Sequence, residues 1–108
     1  MEGLELVAFQ IISAVGTARS CYIEAIQEAK QKKFERAKEL VEEGDKSFVE
    51  GHDAHLKLLQ QEAEGEGSVN LLLLHAEDQL MSAEGFKIIA LEFMDVYQKM
   101  DALENGKE

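Results

Sequence analysis

The sequence predicts an all-α fold, an antiparallel three-helix bundle of long up-down-up helices, and three observations lead there. The 108 residues contain no proline and no tryptophan and are rich in Ala, Leu, Glu and Lys, which enter helices at little cost. Apolar and small side chains recur at steps of three and four over long stretches. Only short breaks separate those stretches, so successive helices must fold back on one another.

The first helix is expected over residues 4–31, where Leu4, Ala8, Ile11, Val15, Ala18, Tyr22, Ala25 and Ala29 form one stripe. The stretch Lys30-Gln31-Lys32-Lys33 complements the negative end of that helix and suits a tight turn. A second series opens at Phe34 and runs through Ala37, Val41, Gly44, Phe48, Gly51, His55 and Leu58, giving a helix over 34–63. Glu62-Ala63-Glu64-Gly65-Glu66-Gly67 loses periodicity and reads as a helix end and loop, and Ser68 is a fitting N-cap for the next element.

The third helix, expected over 69–103 and followed by a short disordered tail, departs from the pattern of a surface helix. On a wheel centred on His75, apolar side chains occupy most of the circumference. Leu71, Ile89, Phe93 and Val96 lie near the histidine, Leu74, Met81 and Ile88 to one side, and Leu80 and Leu91 to the other. One explanation is a helix that is inner in its own bundle and also faces copies of itself; the other is a single bundle with a wide apolar face. At ~1.5 Å per residue each helix would be roughly 45 to 50 Å long. No internal repeat and no second domain is visible, so residues 1–108 are expected to form a single domain.

Size and charge bound the partners. A unit this small buries a limited core, which favours oligomers. A formal net charge of −11 opposes any sequence-independent grip on nucleic acid or anionic lipid. The single cysteine, Cys21, forms no internal disulfide and reads as a core thiol. With no secretory leader pattern and no long apolar run, it suits a reducing cytoplasm.

The chemistry concentrates in Leu71-Leu72-Leu73-Leu74-His75-Ala76-Glu77-Asp78-Gln79-Leu80-Met81. His75 and Asp78 lie one turn apart on one side of a helix. Asp78 falls on an apolar surface, and a buried unpaired carboxylate costs several kcal/mol unless it is protonated, hydrogen-bonded or bound to a cation. If copies of the third helix meet on a symmetry axis, their Asp78 carboxylates converge, and a hard cation such as Mg²⁺ would offset the repulsion. A lone histidine in an apolar stretch is commonly a hydrogen-bonded core residue. The competing reading is a nucleophile, because neutral imidazole attacks phosphorus near pH 7 without a separate base and holds phosphate as a reactive phosphoramidate. Gln79 and Ser82 would supply polarity beside it. Glycine-rich phosphate loops, paired glycosidase carboxylates and Ser or Cys nucleophiles with a matching base are missing from this window.

Elsewhere, His52 and His55 are spaced to share a face of the second helix. Metal ligation by the pair would be incomplete, so packing of His55 at the bundle interface, or a hydrogen bond beside His75, is the favoured alternative. Arg19, within Gly16-Thr17-Ala18-Arg19-Ser20, would neutralise a phosphate or a carboxylate, or stand exposed or ion-paired.

These residues together carry a resemblance. Phe9-Gln10-Ile11-Ile12, Gly16-Thr17-Ala18-Arg19-Ser20, Glu24-Ala25, Phe34-Glu35 with Ala37, His52-Asp53-Ala54-His55 and, above all, Leu72 to Met81 make the chain similar to the enzyme IIA components of the lactose and cellobiose (N,N′-diacetylchitobiose) class of the bacterial sugar phosphotransferase system. The resemblance implies a cytoplasmic homotrimer of three-helix subunits and a phosphotransferase role. His75 would take a phosphoryl group from the histidine-containing phosphocarrier protein HPr, as a tele-phosphohistidine, and pass it to a cysteine of the cognate enzyme IIB during sugar uptake. Asp78 would sit near the trimer axis with a metal ion, with Gln79, Ser82 and His55 in support and no organic cofactor. A scaffolding or metal-binding trimer of the same fold without transfer, or an adaptor whose acidic surface binds a basic partner, would leave His75 dispensable. Two departures stand out: Gln79 replaces a histidine common in the family, and Gly85 interrupts the third helix. A mid-helix glycine weakens a helix by up to ~1 kcal/mol, and close helix approach is one reason to keep it.

Overall fold

In the computed structural model, which describes residues 3–65 and 71–106, three helices follow one another: α1 (Gly3–Lys30), α2 (Phe34–Ala63) and α3 (Leu71–Glu104). The expected cap Ser68 and loop residues Glu66 and Gly67 lie outside the described residues, as does Val69. α1 packs against both other helices, whereas the α2–α3 interface is sparse. The bundle measures 60 × 19 × 18 Å.

α1 buries Ala8, Ile11, Val15, Ala18, Tyr22, Ala25 and Ala29, the expected stripe with only Leu4 half-exposed. The same helix is long and apolar enough to cross a membrane by length and mean hydropathy, which corrects the expectation that no long apolar run is present. A helix central to a bundle passes the same test, and here its buried stripe is covered by α2 and α3.

The turn between α1 and α2 forms around Lys32, the non-glycine residue with a left-handed backbone (φ 67°) among those described. The Lys33 amide reaches back to the Glu28 carbonyl at 3.0 Å, and the Lys33 carbonyl accepts from the Ala37 amide at 3.0 Å to start α2. Lys32 Nζ reaches Glu104 at 2.7 Å and Asp101 at 3.4 Å, tying this turn to the far end of α3. α2 ends as its glycine signal implies: Gly65 takes φ +77°, and its amide bonds the Glu62 carbonyl at 3.0 Å.

Two apolar clusters stack along the axis. One joins Ile11 and Val15 of α1, Ala54 and Leu58 of α2, and Leu73, Ala76 and Leu80 of α3. The other joins Tyr22, Leu40, Val41, Ala90 and Met94, and Phe48 packs against both. Among the described residues nine of the eighteen buried apolar side chains are alanines, so the helices sit close and little volume is enclosed. Two glycines of α2 leave room for side chains of α1. A Cβ on Gly44 would lie 2.7 Å from the Tyr22 ring, and one on Gly51 would lie 2.5 Å from Val15 Cγ1. At Gly85 a Cβ would meet nothing within 4 Å, so close approach inside the subunit is not the reason for that glycine.

The three helices are also tied by polar contacts. The Tyr22 hydroxyl donates to Asp45 Oδ1 at 2.7 Å, and Lys87 Nζ lies 3.1 Å from the same oxygen. Burial first, then the hydrogen bond to Asp45 and the Asp45 charge, push the Tyr22 phenol well above its ordinary range.

Candidate functional site

α3 divides into two faces. Leu73, Ala76, Leu80, Ala83, Ala90 and Met94 are buried. Leu71, Leu74, Met81, Ile88, Ile89, Phe93, Val96 and Leu103 are exposed, with Leu71 reaching 83%. The prediction of a helix apolar on most sides therefore holds, but within one subunit only one side is covered. Along the outer face, alternating steps of four and three link Leu71, His75, Asp78, Ser82, Gly85, Ile89, Glu92, Val96, Lys99 and Leu103. That is the heptad spacing of a helix seam, polar in its first half and mostly apolar in its second.

His75 stands exposed in the second turn of α3, off the buried face. This removes the alternative of a buried core histidine within the subunit. At about 100° per residue, Ser82 projects almost along the direction of His75, two turns on, with Gln79 about 40° to one side and Asp78 about 60° to the other. The helix thus brings these four side chains into one strip. Among the described residues none of them has a hydrogen-bond or ion-pair partner, and that includes both ring nitrogens of His75. Asp78 is an exposed carboxylate among exposed apolar neighbours.

The remaining candidates are placed elsewhere. His55 is half-buried and faces α3, where its Nε2 lies 3.1 Å from Glu77 Oε1. Glu77 projects about 160° around α3 from His75, so His55 does not hydrogen-bond beside His75 within the subunit. That is a correction to one of the two readings offered for it. His52 is exposed and stacks on Phe48 with ring centroids 6.4 Å apart, away from the inward-facing His55. Among the described residues of one chain, no three His, Cys, Asp or Glu side chains gather as a metal site. Arg19 is half-buried at the level of the second apolar cluster, whereas His75 is level with the first, so the two are not brought together in one subunit. Cys21 is half-buried, and its thiol is pushed up by burial and then by the Glu43 and Glu24 carboxylates, the reverse of an activated nucleophile.

Sequence reasoning missed Glu77 as the partner of His55 and the Tyr22–Asp45–Lys87 junction. Both are long-range contacts that helical periodicity does not encode. It also missed a shallow groove of about 660 Å³ between α1 and α2, lined by Leu6, Phe9, Ser13, Glu50, Asp53 and Lys57 among others, which does not include His75.

With this geometry in place, comparison with known proteins is decisive. A family described as "PTS system, Lactose/Cellobiose specific IIA subunit" matches residues 6–98, a span that contains His75 and the whole strip around it. The chain belongs to this family. It is 36% identical over 95 residues to the oligo-beta-mannoside-specific EIIA component of Bacillus subtilis (strain 168), covering 87% of this chain and 86% of the relative. It is 34% identical over 97 residues to a lactose-specific EIIA component of Staphylococcus epidermidis, covering 89% and 93%. The crystal structure of a cellobiose-specific enzyme IIA from Bacillus anthracis superposes with a TM-score of 0.89 at 39% identity, covering 94% of this chain and 95% of that one. The three-helix fold and the place of this IIA component in the sugar phosphotransferase system follow.

Proposed function

We propose that this IIA component carries phosphate on His75, accepting it from phospho-HPr and donating it to a cysteine of the cognate enzyme IIB in the cytoplasm during uptake of lactose-, cellobiose- or chitobiose-type sugars. The observation that carries the reading is the exposed imidazole of His75, without a partner on either nitrogen among the described residues and flanked by Gln79 and Ser82, in a chain of this family. In the first step an unprotonated ring nitrogen of His75 attacks the phosphorus of the donor phosphohistidine. A P–N bond forms on His75 as the donor's P–N bond breaks, and the donor imidazole leaves with the electron pair. In the second step a thiolate attacks the same phosphorus, forming P–S and releasing neutral His75. Phosphoramidate and thiophosphate are both high-energy linkages, so each transfer is close to balanced, and the lone pair of neutral imidazole makes an external base at His75 unnecessary. Gln79 and Ser82 offer donors to the phosphoryl oxygens from the same strip.

The outer face of α3 supports a homotrimer built on that helix. Ile89, Val96 and Leu103 recur every seven residues as exposed apolar positions, the pattern that buries against copies of itself. On that axis Asp78 would bring one carboxylate per subunit. The chemistry of the donor set fits a hard divalent cation such as Mg²⁺, since Asp78 is an oxygen ligand without a partner among the described residues. Bound there, the ion would compensate three like charges.

The test is incubation with phosphoenolpyruvate, enzyme I and HPr, followed by assay of acid-labile protein phosphate. The wild type is expected to label and His75→Ala to remain unlabelled. An unlabelled wild type, or full labelling of His75→Ala, overturns the reading in favour of a scaffolding trimer without transfer.

A further inference from the structure

Two polar pairs cross the sparse seam between α2 and α3. His55 Nε2 lies 3.1 Å from Glu77 Oε1, and Lys87 Nζ lies 3.1 Å from Asp45 Oδ1. From the first pair to the second, α2 is traversed ten residues backwards and α3 ten residues forwards. Antiparallel helices in one register require that correspondence, so the pairs are two rungs of one ladder roughly 15 Å apart. Their polarity is opposite, with the acid on α2 in one rung and on α3 in the other. Sliding α3 by a turn, or rotating it, separates both.

The rungs are not equally supported. Asp45 also accepts the buried Tyr22 hydroxyl, so that rung is fixed to all three helices. The other rests on His55 alone, whose side chain is 18% exposed against 42% for Glu77. It therefore acts as the enclosed anchor that holds a more exposed carboxylate. Glu77 is two residues beyond His75, on nearly the opposite side of the same turn of helix. A helical turn moves as a unit, so whatever fixes the direction of Glu77 also fixes that of His75. Leu72, Leu73 and Ala76 pack aliphatic side chains of these turns against the first apolar cluster. Such contacts resist separation more than rotation, because apolar attraction has no preferred direction.

We infer that His55 is a positioning residue for His75: by holding Glu77 across the α2–α3 seam it sets the rotation of the first turns of α3 and so the direction in which the carrier imidazole is presented to its partners. The inference rests on the reading of His75 as the phosphoryl carrier. His55 exchanges no proton or electron with the transferring group and contributes only geometry, where small errors in aim cost much of the rate.

The experiment measures phosphate acceptance from phospho-HPr by wild type, His55→Ala, Glu77→Ala, the double variant and His55→Gln, whose amide keeps a donor for Glu77. Each alanine variant is expected to lower the maximal rate about tenfold with half-saturating phospho-HPr changed less than about twofold, the double variant to be no slower than either single, and His55→Gln to recover to within about threefold of wild type. Imidazole ¹⁵N resonances of His75 in the unphosphorylated protein are expected to shift in both alanine variants and return in His55→Gln. Should His55→Ala not fold, Glu77→Ala, at a half-exposed position, reads the same contact. Wild-type rates and unmoved His75 resonances in the alanine variants overturn the inference while the carrier reading stands. Equal loss in His55→Gln and His55→Ala also overturns it. A wild type that accepts no phosphate overturns both.

Discussion

Replacing Gly51 with alanine probes the contact that lets α1 and α2 lie close together. The new Cβ would sit 2.5 Å from Val15 Cγ1, with Ala14 Cβ and the Val15 nitrogen at 3.6 Å. Two effects oppose each other. Alanine is about 1 kcal/mol better than glycine inside a helix. Against that, Val15 is 1% exposed, and a valine in a helix is held almost entirely to one χ1 rotamer, so its methyl has nowhere to swing. Overpacking of this kind costs ~1–3 kcal/mol. The net expectation is a loss of about 1 kcal/mol, which lowers Tm by ~4–8 °C in a domain of this size. The sign of the argument is tested in a second background. Val15→Ala removes Cγ1, so Gly51→Ala there should stabilise by about 1 kcal/mol, leaving a coupling of about 2 kcal/mol between the sites. Denaturant unfolding of the four proteins of this cycle measures it. A Gly51→Ala variant that stabilises the wild type as much as it stabilises Val15→Ala refutes the steric account.

Asp78 and Tyr22 give two further tests. On the proposed trimer, Asp78→Leu replaces an outer-face carboxylate of α3 with a side chain that gains ~1.5–3 kcal/mol on burial, so sedimentation should show tighter self-association while phosphate acceptance is largely retained; a folded variant that associates but no longer labels contradicts a structural role for Asp78. Tyr22→Phe removes the hydrogen bond to Asp45 and should cost about 1.5 kcal/mol at neutral pH. Because the folded state raises the Tyr22 pKa, deprotonation favours the unfolded chain: this contribution to stability is complete below the ordinary phenol value of about 10 and is lost as pH rises beyond it. The phenylalanine variant should therefore lose stability less steeply than wild type between about pH 10 and 12, and equal slopes would sink the assignment.

How much of this was legible in the sequence differs from helix to helix. α1 touches both neighbours along one stripe, and its steps of three and four named the buried residues almost in full. α2 buries Leu40 and Ala54 as well, which a single series of such steps passes over because its covered face is wider than one stripe. In α3 the pattern failed to separate inside from outside, since Leu73 and Leu80 on the core side and Leu74 and Met81 on the open side are equally apolar. The relation of His75 to Asp78, Gln79 and Ser82 was legible because helical spacing alone fixes it. The pairing of His55 with Glu77, 22 residues away, depends on the register of two packed helices and had no local signal.

The alanine-lined core also fixes the hydrodynamic character of the molecule. At 60 × 19 × 18 Å a lone subunit is about three times as long as it is wide, and a rod of that shape meets more drag than a sphere of equal mass. Three such rods joined side by side along α3 would triple the mass without adding length, so their frictional ratio falls. The sedimentation coefficient would then climb more steeply than the two-thirds power of mass, whereas end-to-end association would make it climb less. A dilution series in the centrifuge therefore reports the direction in which subunits meet as well as how many do.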